Sequence, residues 1–249
     1  MILQEFFRQN PKVALAFSGG VDSAYLLYAG INSGCDIHAY YVKSAFQPQF
    51  ELDDALKLAN ELGAKMTILD LDVLSDSVIV QNPANRCYFC KKKIFGKIIE
   101  AAKADGYKVL LDGTNASDDA GDRPGMRALQ ELQVLSPLRE CGITKPEVRR
   151  LSKEAGLFTW DKPAYACLAT RIPTGVEITS ENLSVTEYSE KTLSDMGFTD
   201  FRIRLSGNDA KIQVKEEQLE KLLLYNRREI LEKLKPYYSS ITVDLEVRS

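Results

Sequence analysis

The chain has 249 residues, a formal net charge of −3 and 45% hydrophobic residues. Such a chain forms one large globular domain or two smaller ones, and no apolar run approaches the roughly 20 residues of a membrane span. No signal peptide is visible, so we expect a cytoplasmic protein with no membrane partner. The negative charge argues against a dedicated nucleic-acid binder.

The first distinctive stretch is an apolar run, Val13–Phe17, followed by Ser18-Gly19-Gly20-Val21-Asp22-Ser23. Two adjacent glycines allow the backbone to approach a ligand closely, and the start of a helix offers N–H groups to an anion. We therefore predict a buried strand, a phosphate-binding turn and the first turn of a helix. No lysine follows Gly20, which distinguishes this turn from a Walker loop.

Strand and helix patterns alternate through the first two thirds of the chain. The predicted strands after the first are Ile37–Val42, Lys65–Leu71 and Val109–Asp112, with a short one near Val134. The predicted helices are Asp22–Ile31, Gln49–Leu62, Lys91–Ala104, Met126–Leu132 and Thr144–Ala155, the last with a capping box of Thr144 and Glu147. This order implies an α/β fold, a parallel sheet whose ligands bind at the carboxyl ends of its strands. Asp118–Gly125 reads as a surface loop.

A second domain is expected to begin after Gly175, dividing the chain into residues 1–175 and 176–249. The predicted elements of this small α+β domain are helices over Thr179–Met196 and Glu217–Leu234, and strands over Phe201–Leu205, Lys211–Lys215 and Ile241–Val247. Arg202 and Arg204 are two residues apart on a strand, so both side chains leave the same face. Two guanidinium groups there suit a phosphate, and the alternative is a solvated strand face.

Three of the five cysteines stand in unusual surroundings. Cys87 and Cys90 form a C-x-x-C pair where a loop enters a helix, and Cys167 lies between prolines beside Arg171. The pair fits a redox disulfide, a zinc site or an iron–sulfur site. A structural zinc site requires four ligands, and the candidates to complete the pair are Cys35, Cys141, Cys167 and His38. Cys35 and His38 are interpreted as strand residues and Cys141 as a loop cysteine. Three thiolates suit a [4Fe–4S] cluster with one iron open to a sulfur ligand such as hydrosulfide.

Together these motifs resemble the PP-loop ATP pyrophosphatases and, among them, the LarE-type ATP-dependent sulfur transferases of nickel-pincer nucleotide biosynthesis. The resemblance is carried by Ser18–Ser23, Asn85–Lys91, Gly113–Asn115, Pro163–Pro173 and Phe201–Arg204. It implies a PP-loop (adenine nucleotide alpha hydrolase-like) domain with helices on both faces of the sheet. It also implies that ATP adenylates a carboxylate of pyridinium-3,5-biscarboxylic acid mononucleotide, releasing pyrophosphate. Sulfur then displaces AMP and leaves a thiocarboxylate.

The resemblance also implies a role for each matched residue. ATP, with Mg²⁺, would be held by Ser18, Gly19, Gly20, Val21, Asp22 and Ser23, and bordered by Gly113 and Thr114. The cluster of the three-cysteine subgroup would be held by Cys87, Cys90 and Cys167, whereas single-cysteine members sacrifice their own sulfur. The substrate phosphate would be held by Arg202 and Arg204. Arg171 would join them or stabilise the Cys167 thiolate, and Glu190 would lie near the substrate or be an exposed helix residue.

Three other functions compete with this one. A cluster-dependent tRNA thiolase would use a basic patch of Arg86, Lys91, Lys92, Lys93 and Lys97, although the net charge argues against it. An amide-forming PP-loop synthetase would leave the three cysteines unexplained, and a non-enzymatic zinc module would leave the Ser-Gly-Gly loop unexplained. We expect sulfide or another sulfur donor as a partner, and a homo-oligomer.

Overall fold

A computed structural model describes residues 2–118 and 124–248. The chain forms two compact units. The first unit is Met1–Val73 with Asn85–Lys162, and the second unit is Leu74–Ala84 with Pro163–Ser249. The predicted division between residues 175 and 176 stays a prediction. The loop predicted over Asp118–Gly125 lies for the most part outside the described residues.

Helices and strands occupy most of the described chain. The helices are α1 (Leu3–Gln9), α2 (Val21–Asn32), α3 (Gln49–Glu61), α4 (Ser77–Val80), α5 (Arg86–Ala104), α6 (Pro124–Glu131), α7 (Pro137–Glu140), α8 (Lys145–Glu154), α9 (Ser180–Asp195) and α10 (Arg227–Leu234). The strands are β1 (Lys12–Ala16), β2 (Asp36–Lys43), β3 (Lys65–Asp70), β4 (Leu110–Leu111), β5 (Arg202–Ser206), β6 (Asp209–Gln213) and β7 (Ile241–Val243). None of the helices in this part of the chain is long and apolar enough to cross a membrane.

The first unit is built on a parallel sheet with the strand order β3-β2-β1-β4. Successive residues of β1 point to opposite faces: Val13 and Leu15 join a core with residues of α2 and α3, whereas Ala14 joins one with residues of α5 and α6. Helices therefore cover both faces, and the predicted α/β fold is confirmed. The short strand predicted near Val134 is a single bridge from Leu135 to Leu111.

The second unit combines a small sheet with a segment from the middle of the chain. Its sheet has the order β5-β6-β7, with β5 antiparallel and β7 parallel to β6. The side chain of Asn82 is buried and its Nδ2 donates to the carbonyl oxygens of Ile172 and Pro173. The backbone of Gly175 in turn donates to the Asn82 carbonyl at 2.8 Å. These bonds fasten the α4 segment to the chain that follows Cys167.

Two predicted helices have different bounds in the structure. α5 begins at Arg86 rather than Lys91, so the C-x-x-C pair lies within the helix and not in the loop before it. The helix predicted over Glu217–Leu234 is wrong: it is broken into a 3₁₀ turn (Glu216–Gln218), a π-helical turn (Lys221–Tyr225) and α10. The π-helical turn interrupts the α-helical spacing and leaves Leu223, Leu224 and Tyr225 exposed.

Two threonines precede helices, and only one of them acts as a cap. The Thr179 hydroxyl accepts a hydrogen bond from the backbone N–H of Asn182 at the start of α9. Thr144 makes no such bond at the start of α8, where Glu147 pairs with Arg150 instead. The predicted capping box is therefore wrong.

This contrast predicts different costs for the same substitution. Thr179→Ala should lower the free energy of unfolding by about 1 kcal/mol, because it leaves a helix N–H without its acceptor. Thr144→Ala is the matched control and should change stability by less than about 0.5 kcal/mol. Urea titration of both variants measures the difference, and equal costs would contradict the capping role of Thr179.

Candidate active site

The phosphate-binding turn predicted at Ser18–Ser23 joins β1 to α2. Gly19 has φ +71°, a conformation that L side chains rarely adopt, and its Cα lies so close to α3 that a Cβ would meet Ala55 at 3.0 Å. Gly20 precedes α2 without a side-chain cap, so the first N–H groups of the helix are left for an external partner. The hydroxyls of Ser18 and Ser23 lie 3.1 Å apart and brace the turn. The turn thus has the geometry of an anion site at a helix N-terminus.

Asp22, on the first turn of α2, is held by two residues from distant parts of the chain. The Nδ2 of Asn115 donates to one carboxylate oxygen at 3.1 Å, and the Nζ of Lys145 donates to the other at 2.5 Å. Lys145 opens α8, and its backbone N–H is itself bonded to the Ser117 hydroxyl. The Asp22–Lys145 pair is partly exposed, with 20% and 31% of the two side chains accessible. A charged ligand can therefore reach both groups.

Gly113 and Thr114 follow β4 and border the same turn. A Cβ on Gly113 would lie 3.0 Å from the backbone nitrogen of Ser23, so only glycine lets the two segments approach this closely. Thr114 is turned toward the chain instead: its N–H and hydroxyl both donate to the buried carboxylate of Asp112. The hydroxyl of Ser136 also donates to Asp112. Gly113 and Thr114 therefore lie where they were predicted, at the carboxyl end of a strand beside the anion site.

Cys87 and Cys90 lie on the first turns of α5, three residues apart and so on one face of the helix. Cys87 is exposed and Cys90 is buried. The end of the helix that carries them is tied to α6 by Tyr88, whose hydroxyl donates to Glu131. Lys92 and Arg127 also donate to Glu131, and these bonds lower the pKa of its carboxyl to about 2.

The remaining thiols and the histidine are occupied by local interactions. Burial raises the pKa of Cys35 to about 11, and its Sγ donates to the Asn10 carbonyl. Burial also raises the pKa of Cys141. His38 lies on β2 as predicted, stacks on Tyr40 and bonds the Thr67 hydroxyl, and burial lowers its pKa. Because zinc binds thiolates, the raised pKa values disfavour Cys35 and Cys141 as zinc ligands.

Cys167, in the second unit, ends a segment with neither helix nor strand that runs over residues 162–167. It stands just before a 3₁₀ turn, Leu168–Arg171, and is half-buried. Its carbonyl oxygen accepts from both the backbone N–H and the hydroxyl of Thr170, at 2.9 and 2.8 Å.

Arg171 and Glu190 form a buried ion pair next to this cysteine. Two nitrogens of the guanidinium donate to the two carboxylate oxygens at 2.7 and 3.1 Å, and the side chains are only 1% and 6% exposed. Burial opposes the charge of Arg171, but the bonds and negative charge of Glu190 raise its pKa. The same carboxylate accepts from the Tyr165 hydroxyl and the Ile203 N–H. Glu190 is therefore not an exposed helix residue.

Arg202 and Arg204 share a strand face but differ in their surroundings. Arg202 is buried and donates to the carbonyl oxygens of Phe201 and Ala164. Burial, followed by the charges of Arg171 and Arg248, lowers the pKa of Arg202 to about 10. Arg204 is exposed and bonds Gln213. The alternative of a solvated strand face therefore does not hold for Arg202, and the predicted phosphate role of the two arginines stays a prediction.

Known proteins place this chain in a family. The model of the family described as thiamine biosynthesis protein (ThiI) matches residues 8–193. The pyridinium-3,5-bisthiocarboxylic acid mononucleotide synthase of Lactiplantibacillus plantarum is 34% identical over 219 residues, which cover 87% of this chain and 79% of the synthase. The chain belongs to the LarE-type PP-loop sulfur transferases. It is an ATP-dependent enzyme of that family.

Other relatives of this sulfur transferase lie at different distances. An uncharacterised protein of Synechocystis sp. is 35% identical over 224 residues, 89% of this chain and 83% of that protein. The tRNA-specific 2-thiouridylase MnmA of Thermotoga sp. is 26% identical over 193 residues, 61% of this chain and 54% of the thiouridylase.

The three thiols predicted to hold a cluster are divided between the units of this LarE-type chain. Within either unit, the described residues include no group of three His, Cys, Asp or Glu side chains arranged to hold a metal ion. The cluster therefore stays a prediction. The donor chemistry fits it: Cys87 and Cys90 have the spacing and shared helix face of a ligand pair, and cluster irons are bound by thiolates.

Sequence reasoning assigned no role to Lys145, Asn115 and Tyr165, although the last two lie within the motifs that carry the family resemblance. The first two meet Asp22 from 123 and 93 residues away, and no local pattern reports such a contact. A weak signal for Lys145 existed: it is a cation at the start of a helix, where a negative side chain is more usual. Tyr165 lies two residues before Cys167, and its aromatic ring was the sequence signal that could have drawn attention to it.

The buried pair predicts a large cost when one partner is removed. Arg171→Met should lower the free energy of unfolding by about 3–5 kcal/mol, because it leaves the Glu190 carboxylate buried without a cation. Arg150→Met is the control, since Arg150 pairs with Glu147 and Glu154 on an exposed helix face, and its loss should leave stability nearly unchanged. Chemical denaturation distinguishes the two, and a small effect at Arg171 would contradict the importance of the pair.

Proposed function

We propose that this enzyme converts a carboxylate of pyridinium-3,5-biscarboxylic acid mononucleotide to a thiocarboxylate. The observation that carries the proposal is the similarity to the L. plantarum synthase over 219 residues, a span longer than either unit. In the reaction, a carboxylate oxygen attacks the α-phosphorus of ATP and pyrophosphate leaves. A sulfur nucleophile then attacks the acyl carbon and AMP leaves with the oxygen it received.

The first unit would carry out the adenylation. The N–H groups at the start of α2 and the Ser18–Ser23 turn bind the departing pyrophosphate. Lys145 gives up its ion pair with Asp22 and neutralises the charge of the pyrophosphate instead. Asp22, released from Lys145, is then available for the Mg²⁺ that accompanies ATP. Gly113 lets the chain that follows β4 lie against the start of α2.

The cysteines would supply the sulfur. Cys87, Cys90 and Cys167 would hold a [4Fe–4S] cluster through their thiolates, and such a cluster, when bound, offers an iron that can carry a sulfur ligand. The chain itself fixes the thiols: α5 sets the spacing of Cys87 and Cys90, and the Thr170 bonds fix the backbone of Cys167. We propose sulfide as the donor, a cytoplasmic location and a homo-oligomer.

The acceptor's phosphate would be bound by arginines of the second unit. Arg204 is exposed, and its hydrogen bond to Gln213 can be exchanged for one to a phosphate oxygen. Arg202 is committed to two carbonyl oxygens, so it contributes its charge from beneath the surface rather than a free guanidinium edge. Arg248, bonded to Asp200 at 2.9 Å, adds a further positive charge nearby.

The alternative acceptor is a tRNA base, as the name of the MnmA relative indicates for that protein. The basic patch on which this alternative depends is weaker than the sequence implied. Arg86 is buried, and Lys92 is neutralised by Glu131. The similarity to MnmA also covers less of the chain than the similarity to the synthase. We therefore favour the small nucleotide.

Lys145 provides a test of the adenylation half. Lys145→Ala should weaken ATP binding about tenfold, since the uncompensated Asp22 carboxylate then repels the phosphates. Lys57→Ala, which removes an exposed lysine of α3, is the control and should bind ATP normally. Isothermal titration calorimetry with ATP gives the dissociation constant of each variant. Unchanged affinity in Lys145→Ala would contradict the role of Lys145 in ATP binding.

Cys167 provides a test of the sulfur-transfer half. Cys167→Ala should lose sulfur transfer but keep ATP binding, whereas Cys141→Ala should keep both. The assay follows AMP release and, by mass spectrometry, the exchange of oxygen for sulfur in the pyridinium mononucleotide, with tRNA offered in parallel. Thiolation of tRNA alone would overturn the proposed acceptor.

Metal analysis of the anaerobically purified enzyme separates the cofactor alternatives. We expect about four irons per chain and a brown protein. A colourless protein with one zinc per chain would refute the cluster. The identity of the acceptor would still be decided by the sulfur-transfer assay.

A further inference from the structure

The segment that carries Cys167 has no helix or strand of its own, yet side chains hold its backbone. Within Ala164–Cys167, three carbonyl oxygens accept hydrogen bonds from side chains: Ala164 from Arg202 at 2.5 Å, Ala166 from Arg171 at 3.1 Å, and Cys167 from Thr170. Irregular backbone depends on such partners because no ladder supplies them. The order of the Ala164–Cys167 segment therefore depends on the positions of the Arg171 and Arg202 side chains.

Tyr165 is the one side chain of this segment that contacts both arginines and their counterion. The guanidinium carbons of Arg171 and Arg202 lie over its ring, 4.7 and 5.5 Å from the centroid. Its hydroxyl donates to Glu190 at 2.6 Å. A desolvated aromatic face attracts guanidinium groups, and the ring also lessens the cost of bringing two like charges together.

Glu190 joins this arrangement to the rest of the second unit. It lies on α9, binds Arg171 with both oxygens and accepts from the Ile203 N–H on β5. The Tyr165 hydroxyl is thus the fourth donor to a carboxylate that already links a helix, a strand and the 3₁₀ turn after Cys167. Movement of Tyr165 would remove one of the four donors to Glu190 and the ring contacts of both arginines that hold the cysteine segment.

We propose that Tyr165 is a positioning residue that holds Cys167 in place through Arg171, Arg202 and Glu190. Arg202 then acts on Cys167 through its hydrogen bond to the Ala164 carbonyl, and this role is separate from any binding of a phosphate. Tyr165 touches no reacting atom in this scheme. Its relevance to sulfur transfer rests on the proposed function of Cys167, but its effect on the segment does not.

The test measures the order of the segment directly. Tyr165→Leu removes both the ring and the hydroxyl, Tyr165→Phe removes only the hydroxyl, and Tyr225→Leu is a control at an exposed position of the same unit. Hydrogen–deuterium exchange of the peptide spanning residues 163–170 should be about tenfold faster in Tyr165→Leu and less accelerated in Tyr165→Phe. Exchange of β1 should match the wild type and report that the first unit is folded.

Alkylation of the cysteines gives a second readout. After metal is removed with a chelator, the half-buried Cys167 should react about tenfold faster in Tyr165→Leu than in the wild type, while the exposed Cys87 reacts at an unchanged rate. In the sulfur-transfer assay, kcat should fall in Tyr165→Leu with little change in KM for ATP, and Tyr165→Phe should restore most of it.

The outcomes separate this proposal from the proposed function. Unchanged exchange and alkylation in Tyr165→Leu would overturn the positioning role. If Tyr165→Leu does not fold, exchange of residues 163–170 at the wild-type rate in Tyr165→Phe overturns it. If Cys167→Ala still transfers sulfur while Tyr165→Leu frees the segment, the positioning role stands and the assignment of Cys167 fails.

Discussion

The ion pair of Arg171 and Glu190 is the interaction on which the second unit depends. Taking two charges out of water is costly, and the cost is offset here because every lone pair in reach has a donor: two guanidinium nitrogens, a tyrosine hydroxyl and a backbone N–H. The pair connects a 3₁₀ turn, α9 and β5. Its burial shields it from competing water and ions, which suits a group that holds an irregular segment in one conformation.

The first unit contains an ion pair of the opposite kind. Asp22 and Lys145 are partly exposed, so water screens the attraction between their charges. A pair of this strength can be exchanged for a ligand's charges without unfolding anything. The enzyme thus has one partly exposed salt bridge at the start of α2, which in the proposed function exchanges with the nucleotide and its metal, and one buried salt bridge beside Cys167.

The sequence was informative wherever a contact was local. The stretch Val13–Ser23 specifies a strand, a turn and the start of a helix within a few residues, so both the structure of the turn and its place at a strand end could be predicted. Lys145 could not be assigned, because its partner Asp22 is 123 residues away. The burial of Arg202 could not be predicted for another reason: a charged residue on an alternating strand normally faces water, but carbonyl oxygens and the Tyr165 ring here replace that water. The break in the last helix went unseen because its apolar spacing is continuous in sequence.

The segment Leu74–Ala84 gives the chain an unusual order of assembly. Asn82 belongs to the second unit, but its acceptors on Ile172 and Pro173 lie 90 and 91 residues further along. At ribosomal rates of about 5–20 residues per second, this asparagine leaves the ribosome roughly 5–20 s before its partners do. The segment Leu74–Ala84 is therefore synthesised between the two parts of the first unit, well before the rest of the second unit. A fragment that starts at Pro163 would lack the buried amide that secures the backbone after Cys167, so the second unit cannot be obtained by cutting the chain once.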